Sequence, residues 1–383
     1  MNVKNNVPKF YMYSFFGLLN FFGPIYILFF QNFGLSLTQI FLFLSVYSIT
    51  VIILDVPTGI ISDYIGRKKT LALAAFFIIL EPATIALGTE YWHFIVAYIF
   101  LGIGSSLASG TDQSIMYDSL IEMKKKKDYK KTFGTFLMFG QIALITGALA
   151  GGYMFVMNPR LPYIMTALAF FIAFIIVASM KEPKRKKPSK KLHKHILSSI
   201  NTLRENHDLL HVTIFSISIH IIIVMSWFLV QPYYKLIGIL PEHFGIMLSV
   251  GYLICALTAW KAHVLEKIIG RKIMIIASFL IFVGYLLSSL YVVLYGFVFF
   301  YALSVSQGIS FTVMNDYINK RIKSHNRATV LSINSFLTNI IMAVAGPLIG
   351  FVSDAFSLQT ALMLMALAML VLSILFIPKI LKT

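Results

Sequence analysis

The sequence predicts an all-α integral membrane protein with twelve transmembrane helices in two pseudo-symmetric six-helix halves. Three observations carry this prediction. Apolar residues come in runs of about 20, the length that crosses a ~30 Å hydrocarbon core at 1.5 Å per residue. Once those runs are threaded through a membrane, 30 of the 32 lysines and arginines fall on one side. A basic loop of the first half returns 204 positions later. Within lipid every backbone amide must find its partner inside the segment, so runs of this length mean helices.

At 58% hydrophobic and 12% charged residues, with a mean hydropathy of +0.82, the 383-residue chain is not a water-soluble globule. The spans fall at about 9–31, 37–62, 70–89, 92–120, 132–156, 161–180, 211–234, 243–266, 272–291, 295–320, 328–353 and 358–379. The net charge of +17 does not signal a nucleic-acid partner, because its distribution follows the membrane. With the N-terminus in the cytosol, only Arg160 and Lys235 fall in outside loops. This is the positive-inside pattern, and it places both termini in the cytosol. Lys4 and Lys9 precede the first run as in a signal peptide. No small-residue cleavage site follows, so an uncleaved first helix is expected. Cys255 is the only cysteine, which leaves no intrachain disulfide and no cysteine metal site.

In span 1, Asn20 and Tyr26 flank Pro24 and are placed to line a cavity. Span 2 carries Asp55, on one helical stripe with Gly59 and Asp63. Between spans 2 and 3 lies Gly59–Lys69, GIISDYIGRKK, with two glycines, an aspartate and three consecutive cations. A loop this short makes the two spans antiparallel neighbours. Span 3 holds Glu81 mid-membrane, just before Pro82. Span 4 reads GIGSSLASGTDQ, with Asp112 eight residues after Gly104 and followed by Gln113. Span 5 carries Gly134, Gly147, Gly151 and Gly152, small residues of the kind that let helix backbones approach.

The segment 181–211 is the one long hydrophilic stretch and divides a six-helix bundle at 1–180 from another at 212–383. It is read as a cytosolic basic linker, in which 195–209 has the pattern of an interfacial amphipathic helix. His193 and His195 within it read as solvated rather than metal-binding. In span 7, His220 sits mid-membrane, with Trp227, Gln231, Tyr233 and Tyr234 toward the outer end. The loop copy ends in Gly270-Arg271-Lys272, matching Gly66-Arg67-Lys68. At the same offset Gly104 falls on Gly308 and Asp112 on Asp316, beside Gln307 and Asn315 in span 10. Span 11 repeats the glycines of span 5 at an offset of 199, as Gly346-Pro347 and Gly350. Parallel repeats of this kind mark one class of secondary transporter, whose site lies between the halves.

Charges inside spans are costly and tend to be functional. The acids Asp112, Asp316, Asp55 and Glu81 are therefore the candidates for proton coupling, because a carboxyl that loses a proton to one side and regains it from the other can drive transport. Asn20, Tyr26, Gln113, His220, Trp227, Gln231, Gln307 and Asn315 are the candidates for the substrate cavity. No lysine or arginine lies deep in a span. That favours a cationic or neutral amphipathic substrate over an anion.

GIISDYIGRKK resembles the signature loop between helices 2 and 3 of the major facilitator superfamily, through Gly59, Asp63, Gly66, Arg67 and Lys68. Tyr64 departs from it, where a cation is usual. The resemblance implies the major facilitator fold and a gating role for this loop and for Gly270, Arg271 and Lys272. Span 5 resembles the helix-5 glycine pattern of the drug:proton antiporters at four of six positions, with Ala143 and Ala148 at the other two. Many of those antiporters carry an arginine in helix 4, four residues before a glycine. The corresponding positions here are Tyr98 and Phe100.

The resulting expectation is a secondary active transporter, not an enzyme, working by alternating access. It would export a small amphipathic compound in exchange for protons, as a monomer, in a bacterial cell membrane, without a cofactor. Two other readings remain: nutrient uptake by proton symport, in which the same acids would serve, and a non-transporting membrane sensor.

Overall fold

The computed structural model describes residues 3–183, 207–321 and 327–382. Among them all regular structure is helical. Eleven helical stretches are long and apolar enough to cross a membrane, and one of these, Pro241–Leu290, contains two helices. The twelve predicted spans are thereby accounted for. The linker residues 184–206, with His193, His195 and most of the amphipathic segment, lie outside the described residues.

Fourteen α-helices make up the described chain. They are α1 (Asn6–Leu18), α2 (Tyr26–Gln31), α3 (Leu37–Ile65), α4 (Arg67–Leu87), α5 (Tyr91–Ala108), α6 (Thr111–Glu122), α7 (Tyr129–Met157) and α8 (Leu161–Ala178), then α9 (His207–Leu236), α10 (Pro241–Ile269), α11 (Ile273–Leu290), α12 (Phe297–Arg321), α13 (Arg327–Ala355) and α14 (Leu358–Lys382). The chain groups into two compact units. One holds Met1–Phe29, Leu42–Ser189 and Pro241–Ser249, and the other Phe30–Phe41, Lys190–Leu240 and Val250–Thr383. In the first, α4 packs on α5 and α8, and α1 on α7 and α8. In the second, α11 packs on α14 and α12, and α9 on α12 and α14.

Two spans expected to be continuous are broken. Span 1 stops at Leu18 and resumes through a short 3-10 turn, Gly23–Ile25. Pro24 disfavours helical backbone before it, and Asn20 Oδ1 accepts the Gly23 N–H at 2.9 Å, closing a turn in place of a helix. The freed Phe21 N–H is satisfied by Thr166 Oγ1 of α8 at 3.0 Å. Non-helical backbone at membrane depth persists only with such partners. Span 4 is split at Ser109–Gly110 into α5 and α6. Gly110 has φ +66°, the left-handed conformation that costs other residues about 1–2 kcal/mol.

The break in span 1 accounts for two glycines of α7. A Cβ at Gly147 would collide with the Asn20 carbonyl, and one at Gly151 with the Phe21 carbonyl. At Gly152 a Cβ would stand 2.6 Å from Pro241 O. Around Gly134, by contrast, a Cβ would meet nothing within 4 Å. Three of the four span-5 glycines therefore answer to backbone segments laid against α7.

Candidate functional site

Glu81 is placed by α4, about 21 Å along the helix from Arg67, and is 2% exposed. Three tyrosines surround it within electrostatic reach: Tyr26 of α2, Tyr98 of α5 and Tyr163 of α8. All three rings are buried. The hydroxyls of Tyr26 and Tyr98 approach each other, with the ring centroids 6.4 Å apart at 78°. Tyr98 stacks on Phe43 at 5.1 Å, and Tyr163 on Phe22 at 4.6 Å. The surroundings of Glu81 are thus largely aromatic, with three phenols within electrostatic reach. Among the described residues no cation pairs with Glu81. Arg160, which precedes α8, directs its guanidinium to the carbonyls of Ala86 and Gly88, at 3.0 and 3.2 Å.

The structure brings Tyr26 and Glu81 together, two residues the sequence singled out for different roles. It adds Tyr98, one of the two positions where the antiporter pattern has an arginine, and Tyr163, for which the sequence carried no signal beyond aromaticity.

Asp112 lies at the start of α6, half-buried, and its Oδ1 accepts the Gln113 N–H at 2.6 Å. Asp55 is half-buried in α3. Near it Thr58 Oγ1 stands 2.9 Å from Leu54 O and 3.1 Å from Ser106 O, tying α3 to α5 where Pro57 has removed a helical N–H. Gln113 and His220 are exposed, Gln307 and Trp227 half-buried and Gln231 buried. Trp227 stacks on Tyr252 at 4.6 Å. Tyr233 donates to Tyr291 O at 2.9 Å. The side chains of Asp63, Asn315 and Asp316 lie outside the described residues. Among the described residues no three His, Cys, Asp or Glu side chains group as a metal site.

The basic loop is an interlocked turn. Gly66, with φ +97°, ends α3 and starts α4. The exposed amides of Arg67 and Lys68 at the helix start donate to Glu182 Oε1 and Oε2 at 2.9 and 2.7 Å. A carboxylate there also complements the helix dipole. The Arg67 guanidinium pairs with Asp118 of α6 and donates to Ser114 O at 2.9 Å. Gly59 lies exposed, with open space around its Cβ position. In the second unit Gly270 has φ +65°, and Arg271 and Lys272 are exposed. There Asp354 caps the start of α3, with Oδ1 accepting Leu37 N–H at 3.0 Å and Oδ2 accepting Thr38 N–H at 2.7 Å and Thr38 Oγ1–H at 2.6 Å. Gly350 lets this approach happen, since a Cβ there would stand 2.8 Å from Leu37 O. Asp118, Glu182 and Asp354 escaped the sequence reading. Each is an acid at a span end, where its partner is a residue or a helix terminus far away in sequence.

The profile of the Major Facilitator Superfamily matches residues 10–343 and 219–382. The uncharacterised MFS-type transporter YxaM of Bacillus subtilis (strain 168) is 25% identical, covering 96% of this chain and 95% of its own. Among solved structures, the nucleoside transporter NupG superimposes with a TM-score of 0.79 at 16% identity, covering 99% of this chain and 99% of that one. A bacterial homologue of the human lysosomal transporter Spinster gives a TM-score of 0.78 at 12% identity, covering 99% and 97%. At these identities the structural likenesses speak to the fold alone.

Proposed function

The chain belongs to the Major Facilitator Superfamily, and from that premise we propose that it is a proton-coupled secondary transporter that exports a small cationic or neutral amphipathic compound by alternating access. The observation that carries the proposal is Glu81, a carboxyl buried in the membrane, ringed by Tyr26, Tyr98 and Tyr163 and without a cation partner among the described residues. Leaving a carboxylate buried and unpaired costs several kcal/mol. Such a group earns its place by exchanging a proton rather than by holding the fold together.

Asp112 and Asp55 extend this reading toward the cytosol. Asp112 lies about 15 Å from the end of α6, and Asp55 about 15 Å from the end of α3. The proton then has one carboxyl in the outer part of the first unit and two on the cytosolic side. Asp316 repeats Asp112 in the second half and is proposed to serve likewise. Arg67, Asp118 and Glu182 form the gating turn, which opens and closes with the transport cycle. The substrate preference rests on the acidic bias of the buried groups and on the end-of-span positions of Arg67, Arg160 and Lys235.

The test is Glu81→Gln in proteoliposomes, read in two assays. Gradient-driven flux requires the proton, whereas counterflow exchange of substrate does not. Loss of the first with retention of the second is the expected outcome. Undiminished gradient-driven flux in Glu81→Gln would remove Glu81 as the proton site.

A further inference from the structure

We propose that the cytosolic end of the first unit carries a binding site for the phosphate of an anionic membrane phospholipid. A cavity of about 740 Å³ opens there, lined by Tyr64, Lys68, Lys69, Met180, Lys181 and Glu182, with the backbone of Gly66. Three lysines line one space. Among the described residues the side chains of Lys68, Lys69 and Lys181 make no ion pair and no hydrogen bond. Two neighbouring acids among the described side chains are already committed. Asp118 pairs with Arg67. Glu182 accepts the backbone N–H groups of Arg67 and Lys68. Its charge is directed at the start of α4, and the three lysines of the lining outnumber this one acid.

From Lys184 to Lys194 the sequence adds seven cations and no acid. An anion must come from elsewhere, and at the edge of a membrane the abundant anion is the lipid phosphate. Basic pockets between helices on the cytosolic side bind such headgroups, at about 1 kcal/mol per cation near the surface. The apolar part of the lining suits the same ligand. Tyr64 is 86% exposed and Ile65 42% exposed, so the rim presents an aromatic ring and an aliphatic side chain rather than polar groups. Aromatic rings at this level anchor to the headgroup region. Tyr64 stands where the family's motif has a cation. The substitution exchanges a fourth charge for an interfacial ring.

The experiment is native mass spectrometry of the full-length protein released from nanodiscs containing equal phosphatidylglycerol and phosphatidylcholine. Wild type and Lys68→Arg/Lys69→Arg/Lys181→Arg should retain phosphatidylglycerol in preference. Lys68→Gln/Lys69→Gln/Lys181→Gln should lose that preference by about fivefold per lysine. Should the triple variant fail to fold, Lys69→Gln/Lys181→Gln, which changes only exposed side chains, should show about two-thirds of the loss on a logarithmic scale. Unchanged retention in the glutamine variants overturns the site. A second arm replaces chloride with inorganic phosphate at matched ionic strength. The expected result is no displacement of lipid. If phosphate alone strips phosphatidylglycerol and protects lipid-free protein against thermal unfolding, the ligand is a soluble phosphate and the lipid assignment falls.

Discussion

Tyr98 shows how one residue can redirect a site. The antiporter pattern has a helix-4 arginine at this position or at Phe100, and an arginine near Glu81 would hold the carboxyl charged. A phenol does not. It stacks on Phe43 and meets the Tyr26 hydroxyl, leaving Glu81 with polar neighbours but no countercharge among the described residues. Tyr98→Phe keeps the stack and removes the hydroxyl, at a cost of about 1 kcal/mol. Gradient-driven flux should fall while counterflow stays unchanged. An equal loss in both assays would mean that Tyr98 only packs. The glycines of α7 provide a second contrast between single residues. Gly151→Ala drives a methyl into the Phe21 carbonyl and should cost at least ~1–3 kcal/mol. Gly134→Ala has open space and gains helix propensity, up to ~1 kcal/mol. Thermal unfolding in detergent should therefore move the two variants in opposite directions.

The elements divide into those the sequence made legible and those it did not. Span count and span positions follow from hydropathy alone, because length and apolarity are all that a membrane demands of a helix. The breaks are less visible. Pro24 was a signal for the first, yet the turn also needed Asn20 beside it and Thr166 from α8 to receive the Phe21 amide. The second break, at Ser109–Gly110, sits among small and polar residues, where glycine is as easily read as packing. Its left-handed backbone predicts that Gly110→Ala lowers stability by about 1–2 kcal/mol, with Gly110→Asn costing less. Equal tolerance of both would argue that span 4 straightens when substituted. The cage around Glu81 was half legible. The acid stood out as a charge in a span, whereas Tyr98 and Tyr163 come from helices whose rotation no period reveals. Asp354 was silent for a different reason. It caps α3 from 316 positions away, and replacing it with alanine should cost about 0.5–2 kcal/mol.

At the scale of the molecule, the backbone repeats and the charges do not. Gly66 and Gly270 are 204 positions apart, and both adopt positive φ at the turn between two helices. The cation that follows each glycine meets a different fate. Arg67 is held by Asp118 and by Ser114 O, and its own amide donates to Glu182. Arg271 is exposed and has no ion partner among the described residues. At the same offset the sequence has Ile322 where the first half has Asp118. A repeat that preserves its turn while losing the acid keeps the shape of the loop without its lock. The two arginines should therefore separate in one pair of measurements. Arg67→Gln strands Asp118 and should lose about 1.5–3 kcal/mol, the worth of a charged hydrogen bond. Arg271→Gln, a surface change, should stay within about 0.5 kcal/mol. Equal losses in the two variants would show that the asymmetry between the turns does not rest on the Asp118 carboxylate.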